Sequence, residues 1–180
     1  MALDSLLRAW SGIGLRHIPS GSSRGILDAT HAARSRRNRW NEPGTPTFYF
    51  ASDIGVVISE FGRHIQAELP GGQQERQARD VWTIPVSLAR LIDFRDPSAS
   101  ASIGLLKIDT WIGDVDRTQA TTRYVRQHSD VQGLLVPSMG FLDVPTRWNV
   151  VVYLDRIDPQ VAFGAPVFLR RIVLDAVGGA

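Results

Sequence analysis

The sequence predicts an α+β fold in one domain over residues 1–180. Runs rich in β-branched and aromatic residues, such as residues 47–51 and 149–154, are separated by segments with helical periodicity, such as residues 53–65. The two kinds of segment mix irregularly, whereas a doubly wound parallel sheet needs regular alternation. A length of 180 residues with 43% hydrophobic and 21% charged residues suits one domain with a full core.

The N-terminal region is predicted to begin with a short strand at residues 15–18. Because strand side chains alternate, Arg16 and His17 point to opposite sides, and either one is a candidate to line a site. A turn is predicted at residues 21–24, and a short helix is expected at residues 26–33. Arg16 therefore lies just before the first loop.

The most informative part of the chain reads RWNEPGTPTFYFASDIGVVISE. Two prolines and a glycine make residues 41–46 a firm turn, and β-favouring residues then predict a strand at residues 47–51 that carries Tyr49. Ser52 or Asp53 supplies a side-chain acceptor for the first free amides of a helix. Apolar residues recur along this helix at the spacing of a buried face: Ile54, Val57, Ile58, Phe61 and Ile65.

Glu60 occupies an unusual place on this helix. At about 100° per residue the outward arc passes through Ser59 and Arg63, whereas Glu60 lies at the edge of the core. A buried unpaired charge is costly, so Glu60 needs either a basic partner or a functional cavity. Its position alone does not distinguish a structural ion pair from a functional site. Arg39, Tyr49 and Glu60 on consecutive elements suit an anionic nucleotide with an electron-poor sugar.

The remaining chain is predicted to contain several strands and one long helix. Paired glycines behind a proline make residues 69–77 a loop, and Pro-Ser-Ala at residues 97–99 marks another. Asp114 or Asp116 opens a helix that runs to about His128. Strands are predicted at residues 81–86, 88–94, 133–137, 149–154 and 171–176.

Composition excludes several classes of protein. No run approaches the roughly 20 apolar residues of a membrane span, and no secretory leader pattern is present, so we expect a cytoplasmic protein with no membrane contact. The absence of cysteine rules out disulfides, thiolate metal sites and a cysteine nucleophile. The four histidines are scattered without metal-ligand spacing, so no metal site is expected: His17, His31, His64 and His128.

The net charge of +2 is distributed unevenly, because arginines far outnumber acidic residues in residues 1–40. Four of these arginines lie close together: Arg34, Arg36, Arg37 and Arg39. Such a cluster binds nucleic acid, nucleotide phosphates or an acidic partner, or it is simply a solvated edge. Without a helix-turn-helix pattern, zinc spacing or an aromatic-basic stripe, direct binding of nucleic acid is not expected.

Two common enzyme signatures are missing. GSSRG at residues 21–25 lacks the strand-to-helix context of a phosphate-binding loop. Ser138 lies in PSMG rather than in a Gly-x-Ser-x-Gly nucleophile elbow. A hydrolase triad is therefore not expected.

Several blocks of the sequence together resemble the RES domain family, which is named for an arginine, a glutamate and a serine. The blocks are Arg16, RWNEPGTP followed by Tyr49, the Ser-Glu pair ending at Glu60, DRTQ at residues 116–119, and GLLVPS ending at Ser138. The similarity runs over residues 15–158, and the order and spacing of the blocks make it specific. The chain departs from the family where Arg37 and Asn38 replace two glycines and where His17 replaces a tyrosine, which concerns substrate affinity more than reaction class.

The resemblance implies a fold similar to that of ADP-ribosyltransferase toxins and a role as the toxin of a bacterial toxin–antitoxin pair. Characterised family members degrade NAD by hydrolysis or phosphorolysis, and one branch ADP-ribosylates a protein. The resemblance thus implies NAD as substrate, no separate cofactor, and an Xre-like helix-turn-helix antitoxin as partner. It leaves open a homo-oligomer or a hetero-oligomer with the antitoxin. The alternative from another class is a catalytically weak RES-fold module that is kept for binding.

Matched positions imply a role for each site residue. Glu60 would stabilise an oxocarbenium-like ribose, and Tyr49 would stack on nicotinamide. Arg39 and Arg16 would grip the pyrophosphate through bidentate bonds or pair with Glu60 in the empty site. Ser138 would bond the ribose or the nicotinamide amide, or orient Glu60. The simpler alternatives are a core aromatic for Tyr49 and a turn-capping serine for Ser138.

Overall fold

Six strands form one mixed sheet in the computed structural model. The structure describes residues 3–30, 32–33, 38–68, 74–105 and 107–177. Within these ranges, the side chains of residues 64–68, 74–75, 108 and 174–177 are not described. The strands are β1 (Arg8–Pro19), β2 (Thr47–Ala51), β3 (Gln74–Asp93), β4 (Gly133–Pro137), β5 (Trp148–Tyr153) and β6 (Val167–Val177). Their order is β1-β2-β5-β4-β3-β6, and β3 and β4 are the parallel pair.

The sheet closes on itself because β1 pairs with strands on both sides. β1 runs antiparallel to β3 from Arg8↔Leu91 to Pro19↔Arg79, and it meets β2 at Leu15↔Ala51. β3 is long enough for this arrangement, since its 20 residues also pair with β6 and, at the far end, with β4. β6 continues the sheet as an edge strand.

Closure divides the apolar residues into an enclosed core and an outer layer. The enclosed core contains Phe48, Phe50, Ile84, Val86, Leu88, Leu91, Leu135, Val150, Val152 and Phe163. Neighbouring residues of β2 and β5 face the other way, so Tyr49, Val151 and Tyr153 belong to the outer layer. Side-chain alternation therefore decides which residues the outer helices can reach.

Four α-helices accompany the sheet in the described part of the chain. They are α1 (Ile54–Glu68), α2 (Pro97–Ser102), α3 (Val115–His128) and α4 (Pro159–Ala162). Short 3-10 segments lie at Leu3–Leu6, Ile108–Thr110 and Leu154–Arg156. None of the helices in the described ranges has the length and apolar character that crossing a membrane requires.

Helix α1 packs on the outer side of the sheet. Asp53 caps it as predicted, because its Oδ1 accepts a hydrogen bond from the Val56 amide at 3.1 Å. Val56 and Val57 are buried against Leu15 and the rest of a small cluster. Ile58, which was expected on the buried face, is 39% exposed, since the buried face of the helix is formed by Val56, Val57 and Phe61.

Other predicted elements agree with the structure in position. The predicted strands at residues 47–51, 133–137 and 149–154 correspond to β2, β4 and β5. Asp114 is the N-cap of α3, since it accepts from the Arg117 amide at 3.0 Å. The strand predicted at residues 171–176 begins earlier, at Val167. Strands and helices mix irregularly, so the α+β class is confirmed.

The prediction of a helix at residues 26–33 is wrong for the described residues of that range, which form turns and irregular backbone. The Asp28 carboxylate accepts a hydrogen bond from the Thr30 amide at 2.8 Å. Aspartate side chains that bond nearby amides compete with helix formation. Local side-chain bonding thus outweighed a weak helical pattern.

Three further assignments are corrected. The strands predicted at residues 81–86 and 88–94 are one strand, β3. This strand also includes residues 74–77, which were predicted to belong to a loop. The rest of that loop, residues 69–73, lies outside the described part of the chain. Residues 97–99 open α2 rather than a loop, because Asp96 caps the Ser98 amide at 2.9 Å.

The first strand also differs from its prediction, since β1 starts at Arg8 rather than near residue 15. Gly12 and Gly14 weaken the β signal of this segment. A Cβ atom on Gly14 would lie 2.6 Å from the Cβ of Phe50, so close packing against the enclosed core requires a glycine there.

Candidate active site around Glu60

Glu60 is the centre of a polar cluster on the outer side of the sheet. Its Oε1 accepts hydrogen bonds from Ser138 Oγ at 3.0 Å and from Asn149 Nδ2 at 3.2 Å. Arg63 Nη2 lies 2.8 Å from the same oxygen, and Arg39 Nη1 lies 4.0 Å from Oε2. The side chain is 29% exposed, so a carboxylate fixed by surrounding donors still faces an opening.

Strands β4 and β5 fix the two neutral donors. Asn149 is paired with Ala51 of β2 and with Val136 of β4, so its backbone is held from both sides. Ser138 follows β4 directly, and its amide donates to the Arg147 carbonyl at 3.2 Å. Its side chain is fully buried, and Glu60 is the partner of its hydroxyl. Both donors therefore approach Glu60 from rigid elements.

The segment that carries Arg39 is anchored by its neighbour Trp40. The Trp40 indole is buried, stacks on Phe94 at a ring distance of 5.8 Å and meets the edge of Trp111 at 5.9 Å. The Tyr153 hydroxyl donates to the Trp40 carbonyl at 3.2 Å. Trp40 thus holds this segment on the outer layer, where Arg39 reaches the Glu60 carboxylate.

Helix α3 also holds the segment that carries Arg39. Gln119, in the DRTQ block, donates through Nε2 to the Asn38 carbonyl at 2.9 Å. This bond gives the block a structural role in holding the residues before Arg39.

Tyr49 connects this segment to β2 through its hydroxyl. It donates to Asn41 Oδ1 at 2.7 Å and accepts from the Trp40 amide at 3.2 Å. Burial raises the pKa of Tyr49 well above its usual value, with the neighbouring Tyr153 acting in the same direction. Tyr49 lies two residues before Ala51, the β2 partner of Asn149, so it is on the face of the sheet that carries the cluster. Its neutral form is the relevant one at physiological pH.

Arg16 is not brought into the cluster. Its guanidinium lies 3.8 Å from the centre of the Phe48 ring and donates to the Ile26 carbonyl, so it belongs to the enclosed side of the sheet. Burial lowers the pKa of Arg16 from its usual range to about 10, and the charge of Asp28 opposes that effect. A pocket of about 530 Å³ opens beside Arg16, between the end of β1 and residues 20–25.

His17, the neighbour of Arg16, faces the side on which α1 lies. Its ring packs against Phe61 of α1 with a centroid distance of 4.9 Å, and Phe61 directly follows Glu60. Of the two residues that alternation left as candidates, the first strand therefore presents His17, rather than Arg16, to the helix that carries Glu60.

The sequence anticipated part of this geometry. Glu60 lies at the core edge with basic partners, Arg39 pairs with it, and Ser138 bonds to it. Asn149 and Asn41 were missed. Asn149 is a polar residue in an otherwise apolar strand, which is a usable signal, whereas Asn41 lies in the segment before β2. Arg63 was placed on the outward arc, but its long side chain turns back to Glu60 across one helical turn.

The cluster can stabilise positive charge and bind anions. A fixed carboxylate favours a cation that develops beside it, and two guanidinium groups suit phosphate oxygens. Within the described residues, no group of three or more histidine, aspartate or glutamate side chains is arranged to hold a metal ion.

The chain is similar to a solved toxin structure. A chain of the M. tuberculosis MbcT–MbcA toxin–antitoxin complex matches it with a TM-score of 0.67 and 25% sequence identity, over 96% of this chain and 89% of that chain. The predicted resemblance to the ADP-ribosyltransferase toxin fold is thereby confirmed. The RES domain model matches residues 15–173, and the chain belongs to the RES domain family. No curated protein matches the chain.

We predict that Gly140→Ala lowers the free energy of unfolding by about 1 kcal/mol, because an added Cβ would lie 2.1 Å from Ser59 Oγ and 2.9 Å from Arg63 Nη1. Ser59→Ala in the same chain should restore most of the loss. Urea unfolding of the two single variants and the double variant measures this coupling.

Gly113→Ala is the matched control, since its nearest neighbour would be Met139 Cε at an ordinary 3.7 Å. Equal stability of Gly140→Ala and the unchanged chain would contradict the close packing of the loop after β4 on α1.

Proposed function

We propose that this chain is the NAD-degrading toxin of a bacterial toxin–antitoxin pair. The observation that supports the chemistry best is the Glu60 carboxylate, which is held by Ser138 and Asn149 and flanked by Arg63 and Arg39. The toxin role is supported by membership of the RES domain family and by similarity to a chain of a toxin–antitoxin complex.

The proposed reaction breaks the bond between the ribose C1″ and the nicotinamide nitrogen. The bonding electrons leave with the nicotinamide, whose ring nitrogen becomes neutral, so the leaving group needs no proton. Positive charge develops on the ribose, and Glu60 stabilises it electrostatically. Water or phosphate then bonds to C1″ and gives up a proton. Glycosidases use a carboxylate in a comparable way at an oxocarbenium-like centre.

The other cluster residues would bind the substrate. Arg39 lies 4.0 Å from Glu60, outside hydrogen-bond distance, so its guanidinium is available to grip a pyrophosphate. The Tyr49 ring would stack on the nicotinamide while its hydroxyl stays bound to Asn41. Arg16 would contact the substrate only if the substrate reached the 530 Å³ pocket beside the end of β1.

We predict that Glu60→Gln keeps the fold but lowers kcat for NAD cleavage by about 10²–10³-fold, since an amide cannot stabilise the developing cation. The measurement is NAD loss by the purified protein, with and without phosphate, and the products are separated by chromatography. Nicotinamide with ADP-ribose identifies hydrolysis, and a phosphate-dependent ADP-ribose 1″-phosphate identifies phosphorolysis.

Asp130→Asn is the matched control, because it also converts a carboxylate to an amide, at a side chain that is 81% exposed. An active Glu60→Gln variant would remove Glu60 from the mechanism. Intact NAD in both buffers, with folded wild-type protein, would favour protein ADP-ribosylation or a binding module.

For Arg39→Ala we predict a KM for NAD raised about 10–100-fold with a smaller change in kcat, because charge-assisted hydrogen bonds to the substrate contribute about 1.5–3 kcal/mol. Steady-state kinetics separates the two constants. Arg170→Ala on the exposed strand β6 serves as the arginine control. An unchanged KM would assign Arg39 to structure alone.

The partner proposed for this chain is an Xre-like helix-turn-helix antitoxin, supported by the toxin–antitoxin complex that contains the similar chain. Expression of the chain alone should deplete cellular NAD and stop growth, and co-expression of an Xre-like protein encoded beside it should prevent both effects and yield a complex in size-exclusion chromatography. Normal growth and NAD levels without that protein would contradict the proposal.

A further inference from the structure

The two oxygens of the Glu60 carboxylate have different surroundings. Ser138 Oγ, Asn149 Nδ2 and Arg63 Nη2 all approach Oε1, at 3.0, 3.2 and 2.8 Å. Within the described part of the chain, no hydrogen bond reaches Oε2, and Arg39 Nη1 lies 4.0 Å from it. One oxygen is surrounded by donors, and the other faces a cation outside hydrogen-bond distance.

This asymmetry decides which oxygen can meet a substrate. An ionised carboxylate offers about two acceptor positions on each oxygen, so the hydrogen bonds from Ser138 and Asn149 occupy Oε1, and the Arg63 ion pair lies beside them. Oε2 keeps its lone pairs. A ribose hydroxyl, an attacking water or a developing cation would therefore contact Oε2.

Asn149 is a rigidly held hydrogen-bond donor at Oε1. It lies on β5 between two paired neighbours, Ala51 and Val136. Arg63, by contrast, is a long side chain on the same helix as Glu60 and is 32% exposed. The amide of Asn149 donates without a charge of its own and does not ionise at neutral pH. It can therefore fix the orientation of Glu60 without competing for the substrate or the proton.

We propose, building on the function proposed above, that Asn149 is a positioning residue that holds Glu60 Oε1 against the sheet so that Oε2 faces the substrate. Without the amide, Oε1 would be held only by the Ser138 hydroxyl and by the partly exposed Arg63 side chain. A misplaced catalytic group lowers the rate of the chemical step while leaving substrate contacts at Arg39 and Tyr49 in place.

The first test compares Asn149→Ala with wild type in NAD cleavage. We expect kcat to fall about 10–100-fold and KM to change less than about threefold. Gln160→Ala, at an exposed position of α4, is the matched amide-to-alanine control. An unchanged kcat in a folded Asn149→Ala variant would overturn the proposal.

The second test uses Asn149→Asp, which keeps the shape of the side chain and adds a carboxylate about 3 Å from Oε1. Two carboxylates at this distance do not both ionise readily, so the acidic limb of the pH–kcat profile should move to higher pH. Arg63 and Arg39 face the pair and reduce the shift without abolishing it, and Tyr49 stays neutral. Gln160→Glu adds the same charge elsewhere and should leave the profile unchanged.

A purely structural role for Asn149 would lower stability in both variants but would leave the acidic limb in place. That result would overturn the proposal. Urea unfolding of the same variants measures the stability difference separately from the kinetics.

The carboxyl ¹³C resonance of Glu60 separates this inference from the function on which it builds. The resonance is assigned by its loss in Glu60→Gln and followed during pH titration of the isolated protein. If wild type leaves NAD intact, the proposed function fails, and the titration still tests the contact between Asn149 and Glu60 on which the inference rests. A Glu60 titration that moves to higher pH in Asn149→Asp supports the contact with Asn149, and an unmoved titration overturns it.

Discussion

A carboxylate at the boundary between a helix and a sheet needs donors, and this need organises the site. Removing an ion from water without partners costs several kcal/mol. Glu60 receives hydrogen bonds from the end of β4 and from β5, and its ion-pair partners are Arg63 on its own helix and Arg39. These groups come together only when β5 pairs with β2 and β4 and α1 lies across them. Folding of the sheet and assembly of the site are therefore the same event.

The two sides of the closed sheet have separate tasks. The enclosed side is almost entirely apolar and contains aromatic residues such as Phe48, Phe50 and Phe163. The outer side carries Tyr49, Asn149 and the buried Trp40, and it is covered by helices that leave Glu60 partly open. Side-chain alternation along β2 and β5 causes this division, since each strand places apolar core residues on the enclosed side and site residues on the outer side.

Much of the local structure followed from sequence pattern because its causes are local. The Asp53 and Asp114 caps need only residues three or four positions away, and the strand that carries Tyr49 follows from its composition. Predictions failed where distant residues decide. Gly12 and Gly14 look unfavourable for a strand, yet β1 continues through them because Gly14 allows close approach to Phe50. No local signal joins residues 81–86 to 88–94 into one strand.

The sequence by itself determined the residue types, the helix and strand periods and the blocks of the RES family, and with them the candidates Glu60, Arg39, Tyr49 and Ser138. The tertiary structure decided which side chains meet. Ser138 and Asn149 reach Glu60 across 78 and 89 residues of chain, and this depends on the pairing of β5 with β2 and β4. The same alternation turned Arg16 into the enclosed core and His17 towards α1. A shift of one residue in register reverses the side that a strand residue faces, and register is fixed by contacts far apart in the sequence.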